Sequence, residues 1–335
     1  MQRALDLSLL GSGHVAPNPL VGCVIVKNNQ IIGEGWHQAY GQAHAEVMAI
    51  HSLANPEDNV DSSVYVSLEP CSHTGKTPPC ADLLIKSKVK EVIICNLDPN
   101  PLVAGQGIEK LKAAGIQVIQ GVLESKGAKI NRHFFTFHTK KRPYITLKWA
   151  ASLDGFIAQE NGEPYTFSNP QSQTLVHQMR TQHQGILVGV NTIIQDNPQL
   201  NVRLWPGNNP IRMVLDPHNR IPKNSHVLQD GQPTWIFTKQ VEAEQGACHW
   251  IALGEHYQIK DILKFAYKKG IISILVEGGT KTLSAFLQCG LVDEVWKQEK
   301  DITLGKGIPE PEYGLKWKQH QQVGEDNVWY QAELS

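Results

Sequence analysis

The period of the hydrophobic positions changes repeatedly along the chain, and each change marks an element. Arg3 to Leu10 repeats its apolar residues at helical spacing and runs into Gly11-Ser12-Gly13, which predicts a short amphipathic helix with a glycine stop. Ala16-Pro17-Asn18-Pro19-Leu20 is a rigid turn. Val21-Gly22-Cys23-Val24-Ile25-Val26 then reads as a buried strand, and Lys27-Asn28-Asn29-Gln30 turns the chain into a second strand over 31–35. The pattern next predicts a helix from His44 to about Leu53, a strand over 64–68, a helix from Ala81 to about Ser87, a strand over 92–95, a helix over 108–114 and a strand over 116–119. Strands alternating with helices after a single hairpin imply a mixed sheet sandwiched by helices.

An aromatic segment, Phe134-Phe135-Thr136-Phe137, is followed by the basic, proline-ended break Lys140-Lys141-Arg142-Pro143, which places a domain boundary there: 1–142 and 143–335. No internal repeat relates the two halves, so they are expected to be different folds. Tyr144-Ile145-Thr146-Leu147 starts a strand that runs through Lys148-Trp149-Ala150-Ala151-Ser152 towards Asp154-Gly155, where small residues would let a flat ring approach the backbone. Ile274-Leu275-Val276-Glu277-Gly278-Gly279-Thr280 reads as a strand, a Gly-Gly turn and a helix start. Bare backbone N–H groups beside a helix N-terminus make an anion cradle suited to a pyrophosphate, although such turns also serve simply to connect elements. Val328 to Ala332 reads as a closing strand.

Length and charge narrow the function. A chain of 335 residues suits two domains. With 31 basic and 32 acidic residues, a net charge of −1, it has no bulk positive field to hold a nucleic-acid backbone. No apolar run approaches a membrane span, and the first ten residues lack the cleavage site of a signal peptide. Six scattered cysteines fit a reducing cytoplasm better than a disulfide framework.

The chemistry concentrates at His44-Ala45-Glu46, Pro70-Cys71 and Cys80. One imidazole and two thiolates are a tetrahedral zinc set with the fourth position open, as a metal that activates water requires. A closed structural site would have a fourth protein ligand, usually in C-x-x-C or H-x-x-x-H pairs, and neither pair occurs in this sequence. Glu46 is too close to His44 to be a helical co-ligand and is placed to shuttle protons. This is the H-x-E and P-C logic of zinc deaminases, except that eight residues, Ser72 to Pro79, separate the cysteines instead of two. A helix opening at His44 would aim its N–H dipoles at the anionic ligands.

Pro17-Asn18-Pro19-Leu20-Val21-Gly22, His44-Ala45-Glu46-Val47, the stretch Glu69 to Cys80 and Asp98-Pro99-Asn100-Pro101-Leu102-Val103-Ala104-Gly105 together resemble the deaminase half of the bifunctional deaminase–reductases of riboflavin biosynthesis. The long insert between the cysteines separates this branch from cytidine and tRNA-adenosine deaminases. The resemblance implies a cytidine-deaminase-like three-layer α/β/α domain binding one Zn2+, with His44, Cys71 and Cys80 as ligands and Glu46 as the catalytic acid and base. His73, Lys76 and Thr77 are donors suited to a phosphorylated substrate, and Asn18 can bond a pyrimidine edge. The family commonly has a histidine where this chain has Ala16, and a few more residues before the first helix.

In the second half the fingerprint G-x-G-x-x-G is absent, which argues against a Rossmann domain. The segments around Lys148, 185–203 and 274–285 resemble the reductase half of the same family, which implies a dihydrofolate-reductase-like α/β fold using NADPH. Cofactor contacts are then implied at Ala150, Thr166, Thr192, Asp196 and the turn Gly279, Thr280, Lys281, Thr282, Leu283, Ser284 and Ala285. Substrate contacts are implied at Arg180, Leu200, Arg203 and Glu277, with Lys148 and Asp196 at the reacting end. Arg180 and Arg203 suit a ribose phosphate, because a guanidinium fork matches phosphate oxygens. Two departures stand out: Gly162 to Phe167 lacks the family's tryptophan, and Trp296 to Asp301 is polar where an apolar strand is expected, which would alter the sheet edge or a subunit contact. The family reading further implies a small phosphorylated substrate, no nucleic-acid or membrane partner, and a cytoplasmic homo-oligomer, a dimer through the reductase half. Its rivals are a zinc nucleoside or tRNA deaminase with an accessory domain, and an inert zinc scaffold, which would have no need of Glu46.

Overall fold

The computed structural model describes residues 1–72, 78–100, 104–160, 165, 167–312, 314 and 317–332. The chain divides into two compact units, Met1–Lys141 and Arg142–Ser335.

The first unit runs α1 Gln2–Ser8, β1 Gly22–Lys27, β2 Gln30–Trp36, α2 Ala45–His51, β3 Ser63–Leu68, α3 Cys80–Lys86, β4 Glu91–Asn96, α4 Gln106–Ala113, β5 Gln117–Ile119, α5 Glu124–Ile130 and α6 Arg132–Lys140. Its sheet has the order β2-β1-β3-β4-β5. The hairpin partner β2 and strand β3 both pair antiparallel with β1, and β3, β4 and β5 are mutually parallel. Side chains alternate across the pleat, so Cys23 and Ile25 face Ala45 and Ala49 of α2, Ala81 and Leu84 of α3 and Leu111 of α4, while Val24 faces Ala4 and Leu7 of α1. Helices therefore cover both faces, the expected three-layer arrangement. The 3.6 period does not single out α5, whose apolar positions are few, and the aromatic segment 134–137 forms helix α6 just before the boundary.

The second unit runs β6 Tyr144–Ser152, β7 Phe156–Gln159, α7 Pro170–Gln182, β8 Gly185–Gly189, α8 Val190–Asp196, β9 Ile211–Leu215, α9 His226–Gln229, β10 Thr234–Thr238, β11 Ala243–Gln245, β12 Cys248–Ala252, α10 Ile259–Lys268, β13 Ser273–Val276, α11 Thr280–Cys289, β14 Glu294–Lys300, β15 Gly307–Pro309, β16 Gln319–Val323 and β17 Asp326–Ala332. Ten strands form one sheet in the order β11-β12-β10-β9-β8-β13-β6-β14-β17-β16, and β7 pairs with β15 beside it. From β12 to β14 all neighbours are parallel. Their carboxyl ends share one rim, where open parallel sheets place their ligands. One face packs Leu147, Leu187, Met213 and Phe237 against α10 and α11, and the other packs Ile186, Val188, Val214 and Ile236 against α8 and α9.

The polar run 296–301 does not break the sheet. Residues 296–300 lie in β14, paired with β6 on one side and β17 on the other, and Asp301 follows the strand. Its buried polar groups are all partnered: Lys297 Nζ meets Glu310 at 2.9 Å and Glu299 at 3.1 Å, and Gln298 accepts from Ser168 Oγ at 2.9 Å and donates to the Ser172 carbonyl at 3.3 Å. A buried charge is tolerable when paired, which hydropathy cannot reveal.

Among the described residues no helix is long and apolar enough to cross a membrane.

Candidate active sites

His44 stands as the N-cap of α2 in an extended conformation, Cys71 follows β3, and Cys80 opens α3. These three elements bring the three donor atoms within 4.8 Å of one another. His44 Nδ1 lies 3.3 Å from Cys80 Sγ and 3.6 Å from Cys71 Sγ. Tetrahedral zinc with ordinary Zn–N and Zn–S bonds separates such a nitrogen and sulfur by about 3.6 Å, so the donor set fits the ion in type and spacing. Cys71 also accepts the Cys80 backbone N–H at 3.3 Å. Hydrogen bonds from Cys80 and from His44 hold the Cys71 thiol well below the ordinary range, as a metal thiolate needs.

Glu46 sits in the first turn of α2 and is 3 % exposed. Burial, reinforced by the charge of Cys71, pushes its carboxyl up to about 7. Asn18 is tied to this site through a residue that the sequence reading missed: its amide nitrogen lies 3.1 Å from His37 Nε2, while His37 Nδ1 lies 3.0 Å from the Ala43 carbonyl. A carbonyl only accepts, so Nδ1 carries the proton, Nε2 receives the Asn18 amide and the Asn18 Oδ1 is left for a ligand. Burial lowers the His37 pKa and keeps it neutral. The His37 ring lies edge-on to His44 with centroids 5.7 Å apart. Nothing in the spacing of a lone histidine signals this role. His73, Lys76 and Thr77 lie outside the described residues.

Glu69, buried one residue before Pro70-Cys71, accepts backbone N–H groups from Asp98 at 3.3 Å, Gly105 at 3.0 Å, Gly107 at 3.1 Å and Ile108 at 3.4 Å. It caps α4 and ties that segment to the strand end that delivers Cys71.

The second unit has a cleft of about 750 Å³ on the carboxyl rim of its sheet. Lys148, Ala150, Arg180, Thr192, Asp196, Arg203, Glu277, Gly279, Thr280, Lys281, Thr282, Leu283 and Ala285 all line it. Leu200 and Ser284 do not: Leu200 is 3 % exposed and packs in the core with Ile186 and Val188, and Ser284 lies on α11 away from the lining. Thr166 lies outside the described residues.

Arg180 grips Glu277 with two bonds, Nε at 2.9 Å and NH2 at 2.7 Å, and donates from NH1 to the Asn201 carbonyl at 3.1 Å. Burial would raise Glu277, but the adjoining Arg180 guanidinium outweighs it and holds the carboxyl below its ordinary range. Burial lowers Lys148, with Glu277 opposing, and burial raises Asp196. Gly279 has φ +65 and caps α11. A Cβ on Gly278 would stand 2.8 Å from Thr192 Oγ1 and 3.1 Å from Val188. The bare backbone, the N-terminus of a ten-residue helix and Lys281 in its first turn fit a dinucleotide pyrophosphate.

Two further lining residues were not singled out from the sequence. His177 lies one turn before Arg180 on α7, and its Nδ1 accepts the Arg203 backbone N–H at 3.1 Å. Burial, with Arg180 and Arg203 nearby, pushes its pKa down to about 4. The i, i+3 spacing to Arg180 was the available signal. Arg220, in the turn after β9, donates to Asn191 Oδ1 at 3.0 Å.

Two family models match the chain: the cytidine and deoxycytidylate deaminase zinc-binding region over residues 1–96, and the RibD C-terminal domain over 143–328. Riboflavin biosynthesis protein RibD of Aquifex aeolicus is 40 % identical over 324 residues, covering 94 % of this chain and 90 % of that one. RibD of Bacillus amyloliquefaciens is 43 % identical over 315 residues, covering 91 % and 84 %. Among solved structures, a diaminohydroxyphosphoribosylaminopyrimidine deaminase/5-amino-6-(5-phosphoribosylamino)uracil reductase from Thermotoga maritima is similar at 38 % identity and TM-score 0.92, covering 99 % of this chain and 97 % of its own. RibD of Acinetobacter baumannii is similar at 34 % identity and TM-score 0.91, covering 100 % and 98 %.

Proposed function

Since the chain belongs to the bifunctional deaminase–reductase family of riboflavin biosynthesis, we propose that residues 1–142 carry its zinc-dependent deaminase and residues 143–335 its NADPH-dependent reductase. The enzyme hydrolyses the amine from 2,5-diamino-6-(5-phosphoribosylamino)pyrimidin-4(3H)-one to give 5-amino-6-(5-phosphoribosylamino)uracil, then reduces the ribosyl group to ribityl. The division between Lys141 and Arg142 and the separate extents of the two family models support that assignment.

The observation that carries the deaminase reading is the convergence of His44, Cys71 and Cys80 with buried Glu46 beside them. His44, Cys71 and Cys80 would hold the zinc, which when bound would acidify a water for attack on the amine-bearing carbon. Burial raises the Glu46 carboxyl towards neutrality, which suits it to take the proton that water loses and give it to the departing ammonia. Asn18, oriented by His37, offers Oδ1 to the pyrimidine edge. His73, Lys76 and Thr77 complete the substrate side by family resemblance.

In the reductase, Ala150, Thr192, Asp196 and the Gly279 to Ala285 turn would hold NADPH, which when bound would supply the hydride to C1′ of the opened ribose; family resemblance adds Thr166. Lys148 holds a proton beside that carbon, and the burial that lowers its pKa makes the proton easier to give to the ribose ring oxygen, which becomes a hydroxyl as C1′ takes the hydride. Arg203 takes the ribose phosphate. Arg180 acts chiefly by fixing Glu277 and the Asn201 carbonyl, since three of its bonds are already spent on them. Leu200 supports the loop that carries Arg203. The rival nucleoside or tRNA deaminase is disfavoured by the RibD C-terminal match over 143–328, and the inert scaffold by Glu46. A cytoplasmic homodimer joined through residues 143–335 follows from family resemblance, and light scattering on the two separate halves tests the dimer.

Full-length protein given the diaminopyrimidine ribosyl-phosphate should release ammonia and then oxidise NADPH, and zinc chelation should stop the first reaction while leaving reduction of supplied deaminated substrate. Reduction without prior ammonia release, or ammonia release insensitive to chelation, would overturn the reading.

A further inference from the structure

We propose that Arg220 recognises the 2′-phosphate of the cofactor and so sets the preference for NADPH over NADH. The proposal rests on the assignment of the second unit's cleft to that cofactor.

The order of the sheet gives the cleft a direction. Strands β9, β8, β13 and β6 are consecutive parallel neighbours. At one end β6 carries Lys148 and Ala150, the reacting end. Next, β13 leads into Gly278-Gly279 and α11, the pyrophosphate cradle. Beyond it β8 leads into α8 with Asn191 and Thr192, and β9 leads into the turn holding Pro217 and Arg220. At roughly 4.8 Å per strand, β9 lies about 14 Å from β6, with the pyrophosphate turn between them. A dinucleotide with its nicotinamide over β6 and its pyrophosphate on β13 therefore carries its adenosine towards β8 and β9.

Arg220 is the cation best disposed at that end. Its side chain is exposed and held by a neutral amide, Asn191 Oδ1 at 3.0 Å, and among the described residues no carboxylate pairs with it. The amide fixes one terminal nitrogen and leaves the rest of the fork for an anion. The other basic side chains of the cleft are committed elsewhere. Arg180 is gripped by Glu277, Arg203 donates to Asn201 Oδ1 at the α7 side, where its backbone N–H is bound by His177, Lys281 stands in the first turn of α11, and Lys148 is at the reacting end. The lining carboxylate Asp196 sits at the far end of α8 from Asn191, five residues and about 7.5 Å away. The turn itself is pre-formed: Asp216 Oδ2 accepts the Ile221 N–H at 2.8 Å, and Asn219 Oδ1 accepts from Trp250 Nε1 at 3.0 Å. Pro217, the other lining residue of this turn, has no N–H to offer a phosphate. An arginine near the adenosine ribose is a general solution for a 2′-phosphate.

Calorimetric titration of the full-length protein with 2′,5′-ADP and with 5′-AMP tests this without turnover. Wild type should prefer 2′,5′-ADP by tenfold or more. Arg220→Ala should erase most of that preference, Arg220→Lys should restore part of it, and Lys281→Ala should weaken both ligands and keep the ratio. An undiminished preference in Arg220→Ala, with wild type showing it, overturns the role of Arg220 and leaves the cleft assignment standing. If wild type binds neither the fragments nor NADPH, the cleft assignment fails and the proposal fails with it.

Discussion

Glu46 and His177 show how much a single environment decides. Both are buried titratable groups, yet burial moves one pKa up and the other down, because desolvation always disfavours the charged form. For Glu46 the upward shift suits the proton carrier proposed for it. Glu46→Gln should keep stoichiometric zinc by metal analysis and lose ammonia release by at least 10²-fold, since the amide retains shape but carries no proton; near-normal turnover would refute the role. For His177 the folded pKa of about 4 lies below its ordinary 6.5. Between those values the unfolded chain binds the extra proton, so stability is intact above about pH 6.5 and falls as the pH drops through the window. Seven of the eight tryptophans lie in the second unit, so tryptophan fluorescence follows its unfolding in urea. Wild type should lose more stability between pH 7 and pH 5 than His177→Asn, which keeps an acceptor for the Arg203 N–H; equal losses would contradict the assignment.

At the scale of elements, chain ends matter more than chain interiors. Glu69 closes β3 and caps α4 with one carboxylate, collecting four backbone donors that would otherwise be orphaned. In Glu69→Gln one acceptor oxygen becomes an NH2 group aimed at those donors, at a cost of about 1–3 kcal/mol for the buried groups left unsatisfied. Hydrogen exchange at Gly105, Gly107 and Ile108 should accelerate accordingly, and unchanged protection there would show that the carboxylate is dispensable. Strand β14 makes the complementary point. Its interior place in the sheet comes from pairing to β6 and β17, from Glu299 and Glu310 beside Lys297 and from Ser168, far away in sequence, beside Gln298, so local polarity is a poor guide to position.

At the scale of the whole molecule, the groups proposed for each reaction belong to one compact unit, which would make the two activities separable by mutation. Lys148→Ala should reduce NADPH oxidation by about 10²-fold or more, as expected when a positioned polar group at a reacting centre is removed, while ammonia release continues. Both half-reactions measured on one purified preparation decide it. Unchanged NADPH oxidation would show that Lys148 is only a strand residue, and parallel loss of both activities would indicate misfolding.

Covalent order alone determines the chemistry that is local. His44 and Glu46 are two residues apart, the cysteines follow a strand and open a helix, and the Gly-Gly turn follows a strand, so ligand types, the proton carrier and the phosphate turn are legible from residue type, spacing and family resemblance. The alternating apolar pattern likewise determines most strands of the first unit, because one buried face imposes a period of two. Tertiary structure decided what depends on residues far apart in sequence. It joined Asn18 to His37 and His37 to His44, engaged Arg180 with Glu277 across 97 positions, placed Leu200 in the core, and brought Arg220 into the cleft lining. No period or spacing encodes such contacts: they arise when strand order and packing fix which side chains share a desolvated space, and only there do pairing and burial set charge.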